Sequence, residues 1–217
     1  RKRLDYASKL FNSTLIDQLI MNKLSPTLEN VSAFKVMSVM QRARELEQQG
    51  HKVIHMEVGE PDFSSAEPII EAAKISLDRG FTKYTAATGI VELRQALAQH
   101  YQDQYGVEVD YRRILITPGA SGGLTLLANM LVAQGDGVLI SDPAYPCVRN
   151  FIHLMAAQPQ LMPVDVEQNF QPNLKDFEAH YKANTRGLWL ASPSNPTGTI
   201  ISREGLREAS NWARSKN

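Results

Sequence analysis

From residue 111 onward short apolar runs and helical patterns take turns, and this alternation constrains the fold more than any other feature of the chain. Apolar runs at 112–117, 138–140, 160–164 and 187–191 read as strands. Between them, helical spacing covers 121–133, a stretch ending near Ala157, and 174–181, and a last helix starts near Arg203 with Ser202 as its N-cap. Short, almost continuously apolar strands alternating with helices predict a mostly parallel sheet covered on both faces, a three-layer α-β-α domain. In such sheets ligands bind beyond the carboxyl ends of the strands. Three loops fall at those ends, 117–123, 142–146 and 192–198, each rich in Gly, Pro, Ser or Asn.

Upstream the pattern is looser. Val36, Val39, Met40, Ala43 and Leu46 mark one face of a helix that stops at Gly50. Residues 53–58 read as a strand, followed by the turn-forming loop Gly59-Glu60-Pro61-Asp62-Phe63. Ile69, Ile70, Ala73 and Leu77 predict a helix closed by Gly80. A longer helix from about Ile90 to Tyr105 would turn Leu93, Ala96, Leu97 and Tyr101 inward. Residues 1–32 form a tail of unassigned role. Leu15, Ile16, Leu19, Ile20 and Met21 suggest a short amphipathic helix that Ser25-Pro26-Thr27 ends. Arg1-Lys2-Arg3 is best read as a solvated basic end.

Charge narrows the function classes. Lys and Arg number 23, Asp and Glu 23, so the formal net charge is zero and no basic surface points to nucleic acid or an anionic membrane. No apolar run is long enough to span a bilayer and no signal-peptide pattern appears. Cys147 is the single cysteine, which excludes an internal disulfide and suits a reducing compartment; the cytoplasm is the expectation. The chain starts at Arg1 and ends within a helical pattern at Asn217, which suggests a piece of a longer protein.

The stretch Thr117-Pro118-Gly119-Ala120-Ser121-Gly122-Gly123 passes from an apolar run into a helix. Such a turn points several backbone N–H groups one way, at the positive end of the helix dipole, and so suits a phosphate. The Ser121 hydroxyl would add a donor. The same stretch also reads as a plain strand-to-helix loop with Ser121 as N-cap.

Five motifs taken together go further. They are Gly59-Glu60-Pro61-Asp62-Phe63, then Tyr84-Thr85 with Gly89 and Leu93-Arg94, the 117–122 turn, Asp142-Pro143-Ala144-Tyr145-Pro146, and Ser192-Pro193-Ser194-Asn195-Pro196-Thr197-Gly198. In this order and spacing, residues 33–217 resemble the aspartate-aminotransferase-like (class I/II) family of pyridoxal phosphate enzymes of fold type I, and look like its N-terminal half. The resemblance implies a tail at 1–32, an N-terminal arm with part of the small domain at 33–66, and the start of the large cofactor domain at 67–217. It implies that the amides of Ala120, Ser121 and Gly122 hold the cofactor's 5′-phosphate. Tyr145 would stack on the pyridine ring, for which a flat aromatic face is suited, or else be a core tyrosine. Asn195 would donate to the ring's 3′-oxygen, or else serve only its Asn-Pro turn. Tyr84 would reach the phosphate of a neighbouring subunit in a homodimer, or else be a half-buried tyrosine. Gly59 would lie beside the substrate carboxylate, where a side chain would take up the space.

The same family places the aspartate for the pyridine nitrogen, the cofactor lysine and the substrate arginine after the Asn195 loop, beyond Asn217. None of the ten lysines here stands in the expected motif. The implied activity is amino-group transfer between an α-amino acid and a 2-oxo acid, with this piece inactive by itself. A lyase or synthase of the same fold remains open, as does a cofactor-sensing regulatory module. The latter needs a DNA-binding domain ahead of residue 33, for which 32 residues are too few. A dinucleotide fold fails on spacing, since Gly119-Ala120-Ser121-Gly122-Gly123 does not match G-x-G-x-x-G. His51 and His55 lack metal geometry on a strand. Cys147 lacks a visible base and reads as a small buried residue, and Arg94 as a structural residue needing only an ion pair.

Overall fold

The computed structural model describes residues 25–216, which fall into two compact units. One comprises the segment before Phe34 together with Leu124 onward; the other is Phe34–Gly123. The amphipathic pattern at residues 15–21 and the basic end lie outside the described residues.

In the first unit three strands form a parallel sheet. They are β1 (Gly137–Asp142), β2 (Gln158–Pro163) and β3 (Thr185–Trp189), in the order β2-β1-β3. The β1–β2 register runs evenly from Gly137↔Gln158 to Asp142↔Pro163. Opposite β3 it slips once, between Gly137 and Val138. Val138, Leu139 and Ile140 are all at most 3% exposed, as a central strand covered on both faces requires. Their side chains alternate between two cores. Val138 and Ile140 join Val148, Ile152 and Ala157, while Leu139 joins Met162, Phe177, Ala209 and Trp212. Helix Cys147–Leu154 supplies the first core; helices Leu174–His180 and Arg203–Ser215 supply the second. This is the expected three-layer α-β-α arrangement. The last helix starts as its sequence indicates: the Ser202 hydroxyl accepts from Gly205 N–H at 3.0 Å. Asn173 caps Leu174–His180 in a capping box with Asp176.

The second unit is helical. It holds α1 (Lys35–Gln48), α2 (Glu67–Asp78) and α3 (Val91–Tyr105), and the start of α4 (Gly119–Leu131). The later helices are α5 (Cys147–Leu154), α6 (Leu174–His180) and α7 (Arg203–Ser215). The helix-ending glycines act as read: Gly50 and Gly80 have positive φ, and Gly106, after α3, does the same.

Five expectations need correction here. Residues 53–58 form no strand, because no neighbouring strand in this unit takes up their backbone groups. Residues 112–117 form none either. Asp110 accepts from the Arg112 N–H and starts a 3-10 turn at Tyr111–Arg113; the chain then runs extended to Thr117. Helix α4 starts at Gly119, two residues early, so Ser121 lies in its first turn and is not the N-cap. On α3 the buried residue is Arg94, 8% exposed, while Leu93 and Tyr101 stay over 40% exposed. Helix α2 buries nothing: Ile69 and Leu77 are each 64% exposed.

Candidate cofactor site

The turn into α4 is built from small residues. Gly119 N–H donates to Thr117 O at 2.8 Å, and the Thr117 hydroxyl donates to Gly119 O at 2.9 Å. Closing the turn so tightly puts Gly119 at φ +72°, a left-handed conformation that favours glycine. A Cβ at Gly122 would sit 3.1 Å from two carbons of the Pro118 ring. The turn thus folds back over its own helix start. Ala120 and Ser121 are exposed there. The first-turn N–H groups of a helix point out of its end, along the positive pole of the dipole. No acidic residue stands in the first turn of α4 to repel an anion.

Tyr145 and Asn195 belong to the first unit, on loops that leave the carboxyl ends of β1 and β3, neighbours in the sheet. Tyr145 is half-buried, packed on the core of Val138, Ile140, Val148 and Ile152. Its carbonyl accepts from Val148 N–H at 3.0 Å. An ion pair between Asp142 and Arg149 spans the loop that carries it, a bond with no sequence signal except the i, i+7 placement across a turn. Asn195 is exposed at the tip of a loop pinned from inside. Ser194 N–H donates to Thr199 O at 2.8 Å, Gly198 N–H to Ser194 O at 2.7 Å, and Ile201 N–H to the Ser192 hydroxyl at 3.0 Å. Gln171 Nε2 adds bonds of 2.9 Å to both oxygens of Thr199.

Tyr84 is fully exposed, so the half-buried alternative does not hold. Gly59 is exposed too, and a Cβ there would meet nothing within 4 Å. Nothing among the described residues crowds position 59. Near it is a cluster that sequence reading set aside. His55 Nδ1 bonds Glu57 Oε1 at 2.7 Å, and Nε2 bonds Glu47 Oε1 at 3.0 Å. The hydrogen bond to Glu57, then that to Glu47, raises the His55 pKa, and the His55 bond lowers that of Glu57.

Arg94 also departs from expectation. It forms no ion pair among the described residues. Its fork donates to the Thr88 hydroxyl and to Tyr111 O, with the guanidinium 5.3 Å from the Tyr111 ring centre. Lys182 stands at the amino end of β3, away from the strand ends that carry Tyr145 and Asn195, and Lys175 is exposed at the start of α6. Neither is placed as a cofactor lysine.

Taken unit by unit, the residues present suit the parts of pyridoxal phosphate: the first turn of α4 carries no acidic residue to repel a phosphate, and in the sheet unit an aromatic side chain and an amide stand on loops at adjoining strand ends, as a pyridine ring would need.

Comparison with known proteins agrees with the motif order. The family model for aminotransferase class I and II matches residues 51–217. The (5-formylfuran-3-yl)methyl phosphate transaminase of Methanocaldococcus jannaschii is 40% identical over 181 residues, covering 83% of this chain and 47% of that protein. The aspartate aminotransferase of Pyrococcus horikoshii is 36% identical over 170 residues, 78% of this chain and 42% of that one. Among solved structures, an aminotransferase from Mycobacterium tuberculosis superposes with a TM-score of 0.83 at 32% identity, over 89% of this chain and 49% of that one. Aspartate aminotransferase from Thermus thermophilus, solved with maleate, also reaches 0.83, at 28% identity over 89% and 51%. The chain spans about half the length of the relatives it matches. With a family model covering most of its length and the fold in agreement, the chain belongs to the class I and II aminotransferases.

Proposed function

We propose that the full-length protein is a pyridoxal phosphate-dependent aminotransferase, exchanging an amino group between an α-amino acid and a 2-oxo acid, and that these residues are its N-terminal half. The observation that carries this reading is the 117–123 turn. Its φ favours glycine at Gly119, the Pro118 ring leaves little room for a Cβ at Gly122, and Ala120 and Ser121 are exposed at the helix start. In that reading the amides of Ala120, Ser121 and Gly122 hold the cofactor phosphate, Tyr145 covers the ring and Asn195 donates to its 3′-oxygen. When bound, the cofactor supplies an electron sink for the bond broken at the substrate Cα. The chain's own residues fix where it lies, and the pinned loops under Tyr145 and Asn195 suit that task because a site must be held to within a fraction of an ångström.

Tyr84, wholly exposed, is assigned to the phosphate of a second subunit, and Gly59 to the substrate carboxylate. A homodimer follows from the Tyr84 assignment. We assign residues 33–66 to the arm and small domain and 67–217 to the large domain. No helix among the described residues is long and apolar enough to cross a membrane, and with Cys147 as the one thiol the cytoplasm is the compartment proposed.

The test is a panel of amino donors and 2-oxo acids with full-length enzyme. Stoichiometric conversion of one pair into the other supports the reading; tight cofactor binding with no transfer across the panel refutes it. Residues 1–217 alone should transfer nothing. Borohydride treatment with cofactor, followed by mass spectrometry, should label no lysine among the ten; one uniquely labelled lysine overturns that assignment.

A further inference from the structure

Arg94 is the buried cation of the second unit, and its partners are all neutral. A buried guanidinium without a carboxylate is costly unless its donors are used well. They are used on two segments at once. One is the Thr88 hydroxyl; the other is Tyr111 O, at 3.3 Å from Nε, with the ring of Tyr111 beneath. Lys in this place has one ammonium and cannot form the same fork.

What Arg94 holds leads directly to the turn. Thr88 O accepts from Ile116 N–H at 3.1 Å. The next residue, Gly89, has φ +92° and lies flush on Ile116, where a Cβ would come within 2.3 Å of Ile116 Cγ1. Ile116 is followed by Thr117, whose hydroxyl closes the turn on Gly119. No ladder supports residues 114–117; the Ile116 N–H bond to Thr88 O and the Gly89 contact hold this segment beside the 88–89 strap. Tyr84 lies a few residues upstream on the same strap, which has no regular secondary structure of its own.

We propose that Arg94 is a positioning residue for the phosphate cup: by gripping Thr88 and Tyr111 it fixes the 88–89 strap against Ile116 and so sets where the 117–123 turn begins. This rests on the aminotransferase reading for its ligand, though not for its geometry.

The test uses the full-length holoenzyme with Arg94→Met, Arg94→Lys and Thr88→Val. Three quantities are read: the pyridoxal phosphate dissociation constant by fluorescence titration, amide hydrogen exchange at 116–123, and Tm. Arg94→Met should weaken cofactor binding roughly tenfold to hundredfold, the scale at which an ångström of misplacement is felt, and speed exchange at 116–123. Arg94→Lys should recover part of the loss. Thr88→Val, which removes only the hydroxyl, should move both readouts the same way by a smaller factor. A folded Arg94→Met enzyme with lower Tm but wild-type affinity and exchange would make Arg94 a core residue only and overturn the proposal. If Arg94→Met does not fold, unchanged affinity and exchange in Thr88→Val overturns it equally. A wild type that binds no pyridoxal phosphate defeats the enzyme reading instead, and exchange at 116–123 then decides the positioning role by itself.

Discussion

Substituting Gly122 by Ala separates the stability of the turn from its use. The new Cβ would lie 3.1 Å from both Cδ and Cγ of Pro118, when carbon atoms prefer about 3.5–4.0 Å. The Pro118 ring is closed onto its own backbone and cannot swing aside. Relief therefore moves the turn, by a few tenths of an ångström. Overpacking of this kind costs about 1–3 kcal/mol. Ala in a helix returns up to about 1 kcal/mol over Gly, and less in a first turn. Net stability should fall by only about 0–2 kcal/mol. Binding is affected more strongly. A hydrogen bond to a charged acceptor contributes about 1.5–3 kcal/mol, so misaiming the cup by one bond's worth lowers affinity for pyridoxal phosphate roughly tenfold to hundredfold. Gly106→Ala is the control. It has φ +63° and nothing within 4 Å, so it should cost about 1–2 kcal/mol of stability and leave affinity unchanged. Fluorescence titration of full-length apoenzyme, with Tm for each variant, provides the readout. A folded Gly122→Ala protein that binds the cofactor like wild type would refute the argument that this glycine shapes an anion site.

Other consequences can be measured with simpler means. His55, raised above its usual 6.5, contributes stability that is fully present below pH 6.5 and is lost as pH rises through its folded value; Glu57, lowered from 4.5, contributes above 4.5 and loses it as pH falls. The clamp is strongest in mildly acidic solution, and urea midpoints against pH should flatten above 6 in His55→Ala; identical profiles would contradict it. Asp110, held at about 2 chiefly by its hydrogen bonds to Arg112, should show a carboxyl NMR midpoint there, with its stabilisation present above 3.8 and lost as pH falls through about 2; a midpoint near 3.8 means the bidentate pair does not persist in solution. Leu139→Ala removes a wholly buried side chain packed on Met162 and Phe177 and should cost about 2–5 kcal/mol by urea unfolding. Finally, residues 1–217 alone should self-associate. An apolar groove of about 480 Å³ beside edge strand β3, lined by Leu127, Leu131 and Leu188, stays open, as do Ile54, Met56 and Phe63; a monodisperse monomer with a cooperative transition would count against this.

Much of the sheet domain was already legible in the sequence. Val138-Leu139-Ile140 is apolar without alternation, which only a strand buried on both faces requires, and β1 is that strand. Ser202 and the helix-ending glycines act through bonds and φ values local to a few residues, so spacing alone reveals them. The candidate site residues stand out for a similar reason: each lies in a loop or turn whose composition is unusual over a handful of positions. Failures came where the answer depends on a distant partner. Residues 53–58 have strand composition, but a strand exists only if another segment takes up its N–H and C=O groups. The α3 pattern points to Leu93, yet Arg94 is buried because Thr88 and Tyr111, brought in by tertiary folding, accept its donors. His55 looked idle until Glu47, on another element, came within 3.0 Å. Periodicity and capping thus determined which segments are helices and where a small-residue turn enters one of them. Only the tertiary structure decided which side chains face inward and how little room Gly89 leaves against Ile116, because those are distances between segments apart in the chain.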